Sequence, residues 1–170
     1  MFIPVILGTA RKERQSEKVS EFLLELIKKQ GIETELIDVK DYRINATDNS
    51  GNIPEAKKWR EKLMKANALI LVSPEYNHSF PGELKIFLDM LYPEYYQKPV
   101  GFCTVSMGPY GGIRAAEQLK HLATHYGMNP AMKSVQFANI REETKETIKK
   151  YESFAKELIQ ELKELAEKIK

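Results

Sequence analysis

Five consecutive apolar residues, Ala68-Leu69-Ile70-Leu71-Val72, run straight into Ser73-Pro74-Glu75-Tyr76-Asn77-His78-Ser79-Phe80-Pro81-Gly82. An apolar run without alternation has no face to turn to water, so as a strand it must be covered on both sides. Strands of that kind belong to parallel sheets sandwiched between helices. The residues that follow then form a strand-to-helix loop at the carboxyl end of a strand, where open α/β sheets bind ligands. Two prolines, a glycine and several hydrogen-bonding side chains make this loop stiff and polar, suited to a flat ligand held against rigid backbone.

The rest of the chain alternates in the same way. Phe2 to Leu7 is a short apolar run. Ser16 to Gln30 carries Val19, Phe22, Leu23, Leu26 and Ile27 at helical spacing and is ended by Gly31. Glu33 to Val39 reads as a more polar strand near an edge, and Lys40 to Ile53 as a polar loop. Pro54 to Lys65 is a helix with proline at its start, Ala68 to Ser73 a strand, and Gly82 to Leu91 a helix with Leu84, Phe87, Leu88 and Leu91 on one face. Val100 to Val105 is a strand, Gly112 to Tyr126 a helix ended by Gly127, and Lys133 to Phe137 a last short strand. Glu142 to Lys170 reads as one long charged helix with Tyr151, Phe154, Leu158, Leu162 and Leu165 along its apolar stripe. Five strands alternating with helices predict an α/β, three-layer sandwich. Right-handed crossovers favour a five-stranded parallel sheet of order 2-1-3-4-5 with helices on both faces.

Composition narrows the partners. With 170 residues the length suits one domain over 1–170, and 42% hydrophobic with 29% charged residues is ordinary for a globular protein. Basic residues number 26 and acidic residues 24, giving a net charge of +2 and a mixed surface that calls for neither nucleic acid nor membrane. Cys103 is the single cysteine, which excludes an internal disulfide and a cysteine-cluster metal site; it lies in an apolar run that suggests buried packing. No stretch has the pattern of a membrane span or a signal peptide, so the cytoplasm is the expected compartment.

Strands 1, 3 and 4 each lead into an unusual loop, and this topology gathers those loops at one edge. The first, Gly8 to Ser16, opens a helix whose N-terminal N–H groups and dipole suit a phosphate. Thr9 and Ser16 add hydroxyls, and Arg11 and Arg14 add charge. Ser16 as a simple N-cap beside solvated arginines is the alternative. No Gly-Lys-Ser/Thr and no Gly-x-Gly-x-x-Gly occurs here, so a monophosphate fits better than a triphosphate or a pyrophosphate. In the second loop, backbone near Glu75 and Asn77 suits the edge of a heteroaromatic ring, with Tyr76 packing nearby. His78 is the candidate acid or base, but it has no partner at a telling spacing. The third, Ser106-Met107-Gly108-Pro109-Tyr110-Gly111-Gly112, lets backbone approach a ligand closely, or is a tight turn. Together the three loops describe a mononucleotide site, with flavin mononucleotide (FMN) the natural guess.

On these residues the chain resembles the NADPH-dependent FMN reductase family, of flavodoxin-like fold, over about Ile3 to Val135. The match rests on Ser73-Pro74-Glu75-Tyr76-Asn77 followed by Pro81-Gly82, Leu84-Lys85 and Leu88-Asp89. It also rests on Gly8-Thr9-x-Arg11 with Ser16, and on Ser106-x-Gly108-x-x-Gly111-Gly112. The resemblance implies that Thr9, Arg11, Gln15 and Ser16 hold the FMN phosphate. Pro74, Glu75, Tyr76 and Asn77 would line the ring, and Ser106, Gly108, Tyr110, Gly111 and Gly112 would close its other side. It further implies NADPH or NADH as co-substrate and ping-pong transfer to a small-molecule acceptor such as a flavin, quinone, azo compound or metal ion. No catalytic acid–base side chain, no bound metal and a homodimer or homotetramer, with Lys85 and Asp89 at an interface, complete the expectation. Two positions depart from the family: Ile86 replaces a common asparagine, and Glu13 stands where many members have a small residue. A carboxylate there is unfavourable beside a phosphate unless Arg14 or Lys12 offsets it. A flavodoxin-like electron carrier is the first rival, although such carriers are usually strongly acidic and this chain has a pI of about 8.5. A non-catalytic nucleotide- or partner-binding relative is the second.

Overall fold

Alternate residues of the central strands point to opposite layers, and that parity organises the molecule. In the computed structural model, which describes residues 1–141 and 145–169 with the side chain of Lys145 left aside, the strands are β1 (Val5–Leu7), β2 (Leu36–Asp38), β3 (Leu69–Pro74), β4 (Pro99–Val105) and β5 (Asn129–Phe137). They form one parallel sheet in the order β2-β1-β3-β4-β5, as the alternation predicts. The helices are α1 (Ser16–Lys29), α2 (Pro54–Lys65), α3 (Gly82–Asp89), α4 (Ile113–His125), α5 (Lys145–Lys149) and α6 (Glu152–Lys168). Ile6, Leu69, Leu71, Val100 and Phe102 face α2, α3 and α4, packing on Trp59, Phe87 and Leu119. Val5, Ile70, Val72, Cys103 and Val105 face α1, α5 and α6, packing on Leu23, Ile27, Leu158 and Leu162. Both faces are therefore apolar, which is why β3 needs no polar alternation. Trp59 keeps its indole N–H satisfied inside the first layer by donating to the Tyr95 hydroxyl at 2.8 Å. Cys103 is fully buried, and burial pushes its thiol up, away from the reactive thiolate.

β1 and β2 are shorter than the expected Phe2 to Leu7 and Glu33 to Val39, and the C-terminal part of the chain differs more. The last strand begins at Asn129, not Lys133. Its register slips, with Val100 opposite Pro130 but Phe102 opposite Ser134, so residues 131–133 bulge out of the ladder. The Glu161 carboxylate closes the bulge by accepting from the N–H groups of Met132 at 2.7 Å and Lys133 at 3.1 Å. Proline and the bulge break the alternation by which a strand is recognised. The C-terminal helix is two helices, parted at Lys150 and Tyr151, while the expected start at 142–144 and the end at Lys170 lie outside the described residues. Tyr151 is turned to receive the Ala138 N–H on its hydroxyl at 3.0 Å and to pack its ring on Phe137 at 4.8 Å. That break rotates the following stripe: Phe154 is 58% exposed, and Ala155, Ile159 and Ala166 share the buried face with Leu158 and Leu162.

The carboxyl ends of β1, β3 and β4 are adjacent, so residues 8–15, 75–81 and 106–112 meet at one edge of the sheet.

Candidate functional site

Between these loops lies an open cleft of about 430 Å³. Its walls bring together Arg11, Gln15 and Ser16 from the first loop, Pro74, Glu75 and Tyr76 from the second, and Ser106 and Gly108 from the third. Lys12, Glu13, Arg14, Val105, Met107 and Ile140 also line it. Thr9, Asn77, Tyr110, Gly111 and Gly112 are not among its lining residues.

The first loop must leave β1 tightly. Gly8 donates its N–H to the Val72 carbonyl at 2.8 Å, and a Cβ there would stand 2.9 Å from that oxygen and 2.8 Å from a Leu84 methyl. The N-cap of α1 is Gln15, without a side-chain cap bond, so Ser16 is the first helical residue and not the capping serine. Gln15 Oε1 and Ser16 Oγ are buried with no hydrogen-bond partner. Unpartnered buried polar atoms are costly unless a polar ligand completes them, and a phosphate oxygen does so for the Ser16 hydroxyl. Turning the Gln15 amide about its last torsion presents an N–H at the same place.

Arg14 does not face an incoming anion. Its guanidinium donates to both Asp38 carboxylate oxygens, one at 2.8 Å, and to the Thr9 carbonyl, and it meets Glu17 at 3.5 Å. Burial would raise the Asp38 carboxyl, but hydrogen bonds from Arg14 and the Lys40 N–H, together with the Arg14 charge, outweigh it and hold the group below the usual carboxylate range. Arg14 is thus spent on the fold and does not offset Glu13, which is exposed with a left-handed backbone, φ 54°. The Arg11 guanidinium, by contrast, lies 5.7 Å from the centre of the Tyr76 ring and makes no salt bridge among the described residues.

The second loop is a tight reversal. Tyr76 and Ser79 exchange backbone bonds of 2.8 and 3.0 Å around Asn77 and His78, whose φ values of 50° and 67° make it a type I′ turn. The N–H groups of Asn77 and His78 make no bond within the described chain, and both residues are exposed at the tip. Gln118 on α4 braces the turn, donating to the His78 carbonyl at 3.0 Å. Glu75 turns its carboxylate onto the start of α4, accepting from the N–H groups of Arg114 at 3.0 Å and Ala115 at 3.3 Å. Its side chain acts as a helix cap, and only its backbone and stem are left for the cleft.

In the third loop the Ser106 hydroxyl accepts the Gly108 N–H at 2.9 Å. Gly111 and Gly112 have φ 59° and 84°, and a Cβ on Gly111 would stand 2.6 Å from the Gln136 carbonyl carbon. Only glycine fits there. The N–H groups of Tyr110, Gly111 and Gly112 have no partner within the described chain. Asn139 and Ile140 donate to Gly108 and Ser106 at 3.1 Å each, which explains how Ile140, far away in sequence, reaches the cleft. Ile140 and Met107 had no sequence signal, since the one follows β5 and the other stands between two motif residues without a polar group of its own.

Comparison with known proteins bears on the family and the fold. The family model described as NADPH-dependent FMN reductase matches residues 1–142. An FMN-dependent NADPH-azoreductase of Staphylococcus aureus is 36% identical over 126 residues, which covers 69% of this chain and 65% of that protein. The chain thus spans just under two thirds of that relative. Among solved structures, FerB, a flavoenzyme NAD(P)H:(acceptor) oxidoreductase from Paracoccus denitrificans, superposes with a TM-score of 0.80 at 22% identity, covering 96% of this chain and 97% of FerB. A flavodoxin variant from Pseudomonas aeruginosa gives 0.67 at 16% identity, covering 96% and 99%. At these identities the two structures speak to the fold, which is flavodoxin-like.

Proposed function

The chain belongs to the NADPH-dependent FMN reductase family, and on that premise we propose that it is an FMN-dependent NAD(P)H oxidoreductase whose flavin occupies the cleft between the three loops. The observation that carries this reading is the pair of buried, unpartnered polar atoms on Gln15 and Ser16 at the open N-terminus of α1. In this reading Arg11, Gln15 and Ser16 at the start of α1 hold the phosphate, with Thr9 supporting them from behind. Pro74, the backbone of Glu75, Tyr76 and Asn77 form one wall for the ring, and Ser106, Gly108, Tyr110, Gly111 and Gly112 the other. When bound, the flavin supplies hydride acceptance from NAD(P)H and donation to a small-molecule acceptor. The residues position it and present free N–H donors where negative charge collects on a ring edge. His78, exposed at a turn tip, is given no acid–base role.

The azoreductase relative supports an azo compound as acceptor, with a flavin, quinone or metal ion as the other candidates. We assign the protein to the cytoplasm as a homodimer or homotetramer. No helix among the described residues is long and apolar enough to cross a membrane. The test is to add FMN to purified protein, remove free flavin, and record flavin absorbance before and after NADPH under anaerobic conditions. Co-eluting flavin that bleaches is the expected result. Absence of retained flavin at micromolar FMN overturns the site, and retained flavin that neither NADPH nor NADH reduces identifies an electron carrier instead.

A further inference from the structure

Glu83 stands where the first and second loops touch, and the flavin reading by itself gives it no task. Its side chain leaves the first turn of α3 and bends back to the loop after β1. There Oε1 accepts the Ala10 N–H at 3.0 Å and the Thr9 hydroxyl at 3.1 Å. The same Thr9 oxygen accepts the Arg11 N–H at 3.3 Å and lies 3.2 Å from the Tyr76 hydroxyl.

Counting protons orients the chain of bonds. An ionised carboxylate only accepts, and a threonine hydroxyl has one proton and two lone pairs. Thr9 gives its proton to Glu83, so towards Tyr76 it accepts, and the Tyr76 phenol is the donor. With Arg11 N–H on the other lone pair, the fully buried Thr9 hydroxyl is saturated and has no donor left for a phosphate. Burial would raise the Glu83 carboxyl, but its own N–H, the Ala10 N–H, the Thr9 hydroxyl and the Arg43 charge outweigh it and keep the group below the usual carboxylate range.

We propose that Glu83 is a positioning residue of the flavin site, fixing the Ala10 backbone directly, and the Tyr76 side chain and Arg11 backbone through the Thr9 hydroxyl, so that the ring wall and the phosphate loop are held in one geometry. The inference rests on the flavin reading of the cleft. Thr9, a motif residue, then acts behind the phosphate loop, and Glu83 is its anchor in this chain. A residue that merely started α3 would have its carboxylate in solvent; this one is half-buried and spans to residues 73 and 74 positions earlier.

The test is a set of FMN titrations, read by flavin fluorescence, on wild type, Glu83→Ala, Glu83→Gln, Thr9→Val and the Glu83→Ala/Thr9→Val pair. Each single break, Glu83→Ala or Thr9→Val, is expected to raise the FMN Kd about tenfold. The double variant should fall well short of the product of the two single losses, because both cut the Glu83–Thr9 link. Glu83→Gln keeps an accepting amide oxygen and should bind within about threefold of wild type. Unchanged binding in Glu83→Ala, losses that multiply in the double variant, or a Glu83→Gln as weak as Glu83→Ala overturns the role. Should Glu83→Ala not fold, Thr9→Val and Glu83→Gln decide by the same criteria. Wild-type protein that binds no FMN sinks the flavin reading and this role with it, whereas wild-type binding that survives in Glu83→Ala sinks the role of Glu83 alone.

Discussion

Arg14 holds Asp38 by both carboxylate oxygens, tying the loop after β1 to the end of the edge strand β2. The side chains are 4% and 7% exposed, so removing either leaves the other charged and nearly dry. The pair fixes the floor of the cleft and withdraws a cation that the sequence seemed to offer to a phosphate.

Arg14→Leu is expected to cost about 3 kcal/mol of stability, the penalty for an orphaned buried charge, with Lys40 at 3.2 Å as the remaining partner of Asp38. Urea denaturation at neutral pH measures it, and a loss too small to detect would show that Lys40 or water suffices.

The same pair gives a pH dependence. The Asp38 carboxyl is held below its unfolded value. Its stabilisation is therefore complete above about pH 4, the unfolded carboxylate pKa, and disappears as pH falls through the lower folded value. As pH falls below about 4, denaturation midpoints of wild type should drop more steeply than those of Asp38→Asn, whatever their offset at neutral pH. Parallel curves would contradict the assignment.

Ser16→Ala separates folding from binding. The hydroxyl is buried without a partner, so replacing it with a methyl is expected to leave flavin-free stability unchanged or slightly higher. FMN affinity should nevertheless fall by about tenfold, the worth of a hydrogen bond to a charged group. Calorimetry without flavin and titration with it give the two readouts, and a loss of stability with full affinity would reverse the conclusion.

Two glycines with similar backbones should respond differently to alanine. At Gly31, φ is 72° and a Cβ meets nothing within 4 Å, so the substitution should cost about 1 kcal/mol from backbone strain. At Gly111, φ is 59° and the new carbon lies 2.6 Å from backbone of Gln136, so about 3 kcal/mol is expected from strain and overpacking together. Thermal unfolding of both variants compares them, and equal losses would mean that the loop yields.

Tyr95→Phe removes the acceptor of the Trp59 indole N–H in a fully buried cluster. An unsatisfied buried donor costs about 1–3 kcal/mol, so a midpoint shift of that order is expected, with the folded fluorescence of the one tryptophan altered. A neutral outcome would indicate that water replaces the phenol.

The sequence by itself determined the layer architecture, because burial of both strand faces is written in the residues: Ala68 to Val72 has no polar position, and α1 and α2 carry apolar stripes between proline and glycine boundaries. It also located the three loops, since glycines at 8, 111 and 112 and prolines at 74 and 81 act through local backbone geometry. Only the tertiary structure decided how the polar side chains of those loops are spent. Arg14 goes to Asp38, Glu75 to the start of α4, and Thr9 to Glu83 and Tyr76, while Gln15 and Ser16 stay unpartnered. Those pairings join residues 24 to 74 positions apart. A charge or hydroxyl has no preference among partners until the strands are laid side by side. The break at Tyr151 and the bulge at residues 131–133 are of the same kind, each set by one contact across the fold that periodicity along the chain does not carry.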